Sequence, residues 1–462
     1  MLRSKSTSGV QQTRNMLIVT QGRLALLRLP AWLPCQQHVW TSGKQSFSEH
    51  GAHATACDGS PTMMDRLAFS GLTVLDFSQG VAGPHATMLL GLHGADVIKI
   101  EPLEGDWGRG LGKIEGDHCA HSVAFNRGKR SLALDLKAPA AIAAVNKIAA
   151  KAAVVVESFR PGVIGRLGFG YEAIKKVNPS VVYCSVSGFG QSGPYSKRPT
   201  VDGLIQAFSG MMVMNRLPDG TPWRQGMIAV DVTTGLYTFQ ALSTAILRQF
   251  RFGEGSHIDS SLMRAAAAWQ GAKLMEWVHT NGNPQPLYMP AGSYKTSNGY
   301  IMLSAMRPHH FRKMFELIGR VDVADDPTLQ THADRIKNAP KIVKALNETM
   351  PSRTTEEWIA LLQPNEVFCE RVSNYQDYLD HPHVKETGAI DWIQQDGFTP
   401  MPVANIPGLP PAREDAERHH APHIGEHSRD ILGELGYAAS EIDAMVANKA
   451  VVAAPLPARA AE

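Results

Sequence analysis

Only five cysteines occur in 462 residues, Cys35, Cys57, Cys119, Cys184 and Cys369, and no two stand as Cys-x-x-Cys. A scattered, odd-numbered set excludes a disulfide framework and a zinc knuckle, and it points to a reducing, cytoplasmic compartment. Net charge is nearly absent: 45 basic against 43 acidic residues leave +2, which gives no electrostatic footing for nucleic acid. No run of about 18 apolar residues exists, so no membrane-spanning helix is expected. A P-loop and a G-x-S-x-G nucleophile elbow are both missing. Acidic residues are missing from the start of the chain, where Glu49 is the first, while Arg3, Lys5, Arg14, Arg23, Arg28 and Lys44 stand among Ser and Thr. That is the composition of a mitochondrial transit peptide, which would place the protein in the matrix. Arg28 and Pro30 interrupt the apolar stretch 24–33 and argue against a secretory signal. The simpler reading is a true start at Met63 or Met64, so residues 1–66 are set apart as an extension.

What is present is strand–helix alternation. Gly71–Phe77 reads as a buried strand, Gly83-Pro84 opens a helix that Gly94 stops, and Gly94–Glu101 is a second strand. Short strands follow at 131–136, 154–159, 181–187 and 256–261, with helices at 138–150 and 231–250. This predicts an α/β fold with a doubly wound parallel sheet over residues 67–282. Asn283-Pro284-Gln285-Pro286 reads as a linker to a smaller α+β domain, 283–395. Asn298-Gly299 predicts a tight primed hairpin turn there, and Thr354 with Glu357 predicts a capping box. Residues 396–450 are expected to return to the large domain, and the Ala- and Pro-rich tail 451–462 to be disordered.

Chemistry-bearing residues are individually ambiguous. Gly188–Gly193 matches G-x-G-x-x-G, but Pro194 and a polar loop follow where a dinucleotide site needs a helix. Those glycines suit a loop that approaches a ligand closely. Asp231 and Asp202 each read as a helix N-cap; a carboxylate at such an end also stays ionised and available as a nucleophile. Lys99, Arg127, Lys129, Arg130, Arg160 and Arg166 fall at strand ends and loops, where they are either solvated or face a phosphate-bearing ligand. His381, His383, His419, His420, His423 and His427 lack Cys or carboxylate companions at ligand spacing, so no metal is assigned.

Taken in order, these segments resemble the family III CoA-transferases (the CaiB/BaiF family), which also contains the α-methylacyl-CoA racemases. The resemblance runs over about residues 67–440: Gly71–Phe77 with Ala82-Gly83-Pro84, Asn126–Ser131, Glu157–Gly162 with Leu167-Gly168, Ser187–Pro194, Asp202 with Gln206-Ala207, Asp231 with Thr234-Gly235, and Gly425-Glu426-His427. It implies a Rossmann-like large domain, a small domain and an interlocked homodimer. It implies Asp231 as nucleophile, with Asp202 lining the same site. Val81, Ala82, Leu134, Ser158, Phe159, Val163, Arg166 and Leu167 fall where relatives hold CoA, and Arg130 is added from the basic set. The substrates implied are an acyl-CoA and a carboxylic acid, with a CoA thioester as substrate and no resident cofactor.

The rival within the resemblance is racemisation, which needs a His directly before the residue matching Asp202. That position is Val201, so transfer is the better reading. A CoA-binding protein without turnover is the other alternative, and the paired acids argue against it. Residues 283–292 hold three prolines and one glycine where some formate- and oxalate-type members have a glycine run, which argues against formyl-CoA/oxalate exchange.

Overall fold

The computed structural model describes residues 15–20, 23–28, 67–217 and 219–453. The chain divides into two units, Met1–Ser60 and Pro61–Glu462. In the first, Asn15–Thr20 and Arg23–Arg28 form an antiparallel pair. The rest of the expected leader, and the tail beyond residue 453, lie outside the described residues.

The second unit is built on a seven-stranded sheet. In chain order its parts are β1 (Thr73–Asp76), α1 (Ala82–Leu92), β2 (Asp96–Glu101), α2 (Ala120–Asn126), β3 (Lys129–Leu134), α3 (Pro139–Ala149), β4 (Val154–Glu157), α4 (Val163–Arg166), α5 (Tyr171–Val177), β5 (Val182–Ser187), α6 (Asp202–Phe208), α7 (Met211–Met214), α8 (Ala229–Phe252) and β6 (Ser256–Ser261). The sheet order is β6-β5-β4-β1-β2-β3-β7, and the six strands of the large domain are all parallel. Read from the other edge, the order 3-2-1-4-5-6 is that of dinucleotide-binding sheets, whose switch point lies between β1 and β4. The seventh strand, β7, is Val451–Val452, antiparallel to β3. The expected disordered tail is corrected there: Val451 is buried in the core below α3 and adds a rung to the sheet edge.

Alternation along each strand feeds two cores. On β1, Leu75 joins a cluster with α3, Phe169 and Ile431-Leu432 on one face. Val74 joins a cluster with α1, α8 and Leu262 on the other. The opening helix α1 is buried along its whole length, sandwiched between the sheet, α8 and the Ile406–Leu409 stretch of the returning chain.

Residues 289–367 carry a third core, centred on Trp358, whose indole N–H donates to the Met350 carbonyl at 2.8 Å. The capping box forms as expected. The Asn-Gly turn does not take the primed form: neither Asn298 nor Gly299 has positive φ. Asn298 instead accepts from the Thr355 amide at 2.9 Å and donates to Glu356, so its side chain is spent tying the hairpin to the capped helix. The strand pair Ile390–Ile393 and Met401–Ala404 straddles the boundary expected at residue 395 and packs through Val403 and Ile393 on Val123 of α2.

Around the carboxyl ends of β1 and β2, joined by Lys129 from the amino end of β3, lies a buried lattice of charge. Asp76 accepts from Ser78 (N–H, 2.9 Å), Thr87 (2.7 Å) and Lys129 (3.0 Å). Lys99 pairs with Asp106 at 2.9 Å and donates to the Ser78 carbonyl at 2.8 Å. Arg109 grips Glu101 with two bonds of 2.7 and 2.8 Å. Burial alone would push the Asp76 carboxyl up, but Lys129, Lys99 and the two hydroxyls hold it below its ordinary range. Removing one partner strands a buried charge, at a cost of about 3–5 kcal/mol. Asp76→Ala is therefore expected to shift the urea midpoint strongly, whereas Arg312→Ala, which loses only the exposed Asp325 and Glu316 pairs, should barely move it; equal shifts would show that the lattice is not structural.

Candidate active site

The loops that leave β1 and β4 meet at the switch point, where open α/β sheets take their ligands. The Gln79 amide donates to the Ser158 hydroxyl at 2.8 Å, closing the gap between the two loops. A cleft opens on either side of this bridge. One, of about 490 Å³, is lined by Gln79, Val81–Gly83, Trp107, Ser158, Thr200–Gly203, Arg224 and Asp231, among others. The second, of about 400 Å³, is lined by Phe77, Gln79, Leu134–Lys137, Phe159 and Leu167.

Asp231 is the third residue of α8, and it does not cap that helix: no side chain caps α8 from its own N-cap position. That work is done by Asp202 at the start of α6. Its Oδ2 accepts from the amides of Val230 (2.7 Å) and Asp231 (3.1 Å), and its Oδ1 from Gln206 Nε2 (2.6 Å). Gln206 is fully buried, and its Oε1 accepts from the Gln225 amide at 2.9 Å. Asp202 is thus saturated and positional, while no hydrogen bond reaches the Asp231 carboxylate among the described residues. Burial first, and the neighbouring Asp202 charge second, push Asp231 up to about 7. The pair therefore holds one committed and one uncommitted carboxylate.

The amino end of α1 faces the same cleft. It too lacks a side-chain cap, so the amides of Ala82 and Gly83 point their unspent N–H groups toward the ligand space. The two helix ends converge because Gly235 has no side chain: a Cβ there would lie 2.5 Å from His85 Nδ1. His85 instead faces the Val232 carbonyl at 3.2 Å. Burial, with Lys129 and Arg127 nearby, pulls it down to about 4, so it stays neutral. The Gly-rich loop after β5 contributes Gly188 to the cleft. Its amides at Gly190 and Gln191 are spent on Ser187 and Asp259.

Of the residues singled out from sequence, Asp231, Asp202, Val81, Ala82 and Ser158 line the first cleft, and Leu134, Phe159 and Leu167 the second. Val163 and Arg166 form the short α4 that leads into Leu167. Arg130 is not brought to either cleft. It sits at the amino end of β3, held by both oxygens of Asp96 (2.7 and 2.8 Å) and by Glu434. Lys99 and Lys129 belong to the buried lattice, and Arg127 donates to His419 at 2.8 Å. Only Arg160 and Arg166 of the expected basic set remain exposed. Sequence reading missed Gln79, Trp107, Lys137 and Arg224; for Gln206 the signal was its i+4 spacing from Asp202.

The histidine reading is corrected too. His423 Nδ1 lies 2.6 Å from Asp117 Oδ1, a carboxylate 306 residues away, and His420 lies 3.2 Å from Glu426. Asp117, His118 and His423 place one donor atom each within 4.8 Å of one another. The Arg109 guanidinium faces both Asp117 (3.5 Å) and His118 (3.3 Å) and opposes a cation there. The set acts as a clasp between the 102–119 loop and the returning chain.

The family model described as CoA-transferase family III matches residues 69–428. The succinate–glutarate CoA-transferase of Agrobacterium fabrum is 30% identical over 381 residues, covering 79% of this chain and 95% of that protein. The acetyl-CoA:oxalate CoA-transferase of Acetobacter aceti is 32% identical over 375 residues, with 79% and 95% covered. Among solved structures, a CAIB/BAIF family protein from Brucella suis superposes with a TM-score of 0.72 at 29% identity, covering 80% of this chain and all of that one. With its sheet order, its two clefts and this span of similarity, the chain belongs to CoA-transferase family III.

Proposed function

We propose that the protein moves CoA from an acyl-CoA donor to a carboxylic acid acceptor, with Asp231 as the covalent nucleophile. The observation that carries this reading is the uncommitted Asp231 carboxylate, facing a cleft beside a second carboxylate whose oxygens are fully occupied. An Asp231 oxygen attacks the donor's thioester carbon, the C–S bond breaks, and CoA leaves as thiolate. The thiolate then attacks Cγ of Asp231, breaking the anhydride and releasing the donor acid. The acceptor carboxylate attacks the resulting aspartyl thioester, the thiolate departs again, and its return to the acceptor's carbonyl frees Asp231. Each step exchanges one acyl bond for another, so splitting the transfer this way lowers the barrier without any redox partner. The free amides of Ala82 and Gly83 supply donors for the developing oxyanion.

CoA is read as spanning the Gln79–Ser158 bridge. Its thioester end lies in the first cleft, and its remainder runs against Leu134, Phe159 and Leu167, with Lys137 in the second cleft and Arg166 at the end of α4 as cations for its phosphates. Val201, which is 60% exposed, lines the first cleft beside Asp202 and offers no base for racemisation. Exposed apolar residues along α8 and the following Gly271–His279 helix, including Phe250, Met275 and Val278, suit burial in a homodimer.

Incubating the protein with succinyl-CoA and a panel of carboxylic acids should give new acyl-CoAs by mass spectrometry, and Asp231→Ala should give none. Exchange of an α-methylacyl-CoA proton with deuterated water, without transfer, would sink the proposal. The raised Asp231 pKa adds a pH test. Because only the ionised form attacks, kcat/KM for the donor should fall about tenfold per pH unit below about 7. Asp202→Asn keeps an oxygen for the two helix amides but removes the like charge, so the acid limb should move to lower pH. An unmoved limb would rule out Asp231 as the titrating group.

A further inference from the structure

One buried carboxylate beside the clefts has no part in the transfer steps. Glu157 ends β4, is 2% exposed, and directly precedes Ser158 and Phe159, which line the first and second clefts. Its Oε2 accepts from the Phe159 amide at 2.9 Å, so it holds the turn on which the Gln79–Ser158 bridge stands. The buried acids Asp76, Glu101 and Asp106 each have a cation. Among the described residues, no cation pairs with Glu157.

What it has instead is a route to water. Ser185 stands opposite it on β5, and the Ser185 hydroxyl donates to the carboxylate. The same Oγ lies 3.0 Å from His257 Nε2 and, with its own proton committed to Glu157, accepts from that nitrogen. His257 is exposed on β6 and is stacked on Tyr171, with ring centroids 4.6 Å apart. A proton arriving at His257 Nδ1 releases the Nε2 proton to Ser185, whose own proton passes to Glu157. The imidazole and the hydroxyl end neutral, and the carboxylate has gained one proton. The other titratable groups around this chain are Tyr183 and Cys184 on β5, Asp259 on β6 and Glu172 on α5, and none of them is a cation. Burial pushes Glu157 up to about 7, with the Ser185 and Phe159 bonds offsetting only part of it.

CoA seated in the second cleft brings apolar cover and phosphate charge to the Phe159 side of this turn. Both disfavour a negative charge on the residue beneath. We infer that Glu157 is a positioning residue for CoA, which holds the Ser158–Phe159 turn and takes up a proton through His257 and Ser185 as CoA binds. This inference rests on the CoA reading above and adds a proton linkage to it.

Calorimetric titration with CoA, in buffers of different ionisation enthalpy from about pH 6 to about pH 9, counts the protons exchanged. The wild type is expected to take up part of a proton, most just above pH about 7, with Kd for CoA rising by up to about tenfold per pH unit across that window. Glu157→Gln keeps an oxygen for the Phe159 amide and should lose this component, while proton exchange by the phosphates of CoA stays common to both. Ser185→Ala removes a bond that favours the ionised carboxyl, so its uptake should peak at higher pH. Asp231→Ala should retain the uptake. Unchanged uptake in Glu157→Gln, an unmoved peak in Ser185→Ala, or loss of uptake in Asp231→Ala overturns the linkage while leaving CoA binding and transfer standing. Absence of CoA binding by the wild type overturns both.

Discussion

Everything at the site rests on the buried charge lattice that joins the carboxyl ends of β1 and β2 to Lys129 at the start of β3. Asp76 and Lys129 lock β1 to β3. Lys99 with Asp106, and Glu101 with Arg109, lock the 102–119 loop onto β2. Such groups are expensive to bury singly and stable only as a complete set, so the lattice forms as one piece or not at all. It fixes the Ser78 carbonyl and the Gly80 amide, which brackets Gln79, the residue shared by both clefts. A loop rich in glycine would otherwise be free to wander. Here Gly80 is also pressed by the Trp107 ring, where a Cβ would come within 2.3 Å.

A second constraint acts through α6. One carboxylate, Asp202, serves as the cap of a helix other than its own and, after burial, as the second cause that makes Asp231 hard to ionise. Placing the cap on α6 lets the first turn of α8 offer its own acid to the cleft instead of folding it back on the backbone. Burial and the like charge both disfavour the ionised form of Asp231, and no hydrogen bond offsets them among the described residues. Gly235 completes the arrangement by letting α8 close on α1 at His85.

Much of this was legible in the chain. Strand and helix spacing in residues 71–261 predicts the parallel doubly wound sheet, because each element's apolar period is local and strong. Thr354 with Glu357 predicts a cap that forms. The misreadings share a cause: they concern partners far apart in sequence. Lys99, Lys129 and Arg130 read as solvated or phosphate-facing because Asp76, Asp96 and Glu434 cannot be seen beside them in a linear string, and Asp106, seven residues after Lys99, shows no local period that pairs the two. His423 reads as unaccompanied because Asp117 stands 306 residues away. Asn298 reads as a primed turn because its competing bond to Thr355 comes from another element. Val451–Val452 reads as tail because a two-residue strand has no period to detect.

The lining of the first cleft also bears on self-damage. A mixed anhydride and a thioester are indiscriminate acylating agents, and any amine or thiol within reach would be consumed on the enzyme itself. The cleft presents no lysine and no cysteine. Lys99 and Lys129 lie just beneath it, yet both are buried with their ammonium groups turned into ion pairs. Cys184 lies one residue ahead of Ser185 on β5 and is fully buried, with its thiol held far from ionisation by that burial and by the nearby acids Glu157 and Asp259. The same interior packing that stiffens the scaffold therefore keeps these amines and this thiol away from whatever acyl group the proposed chemistry would bring into the first cleft.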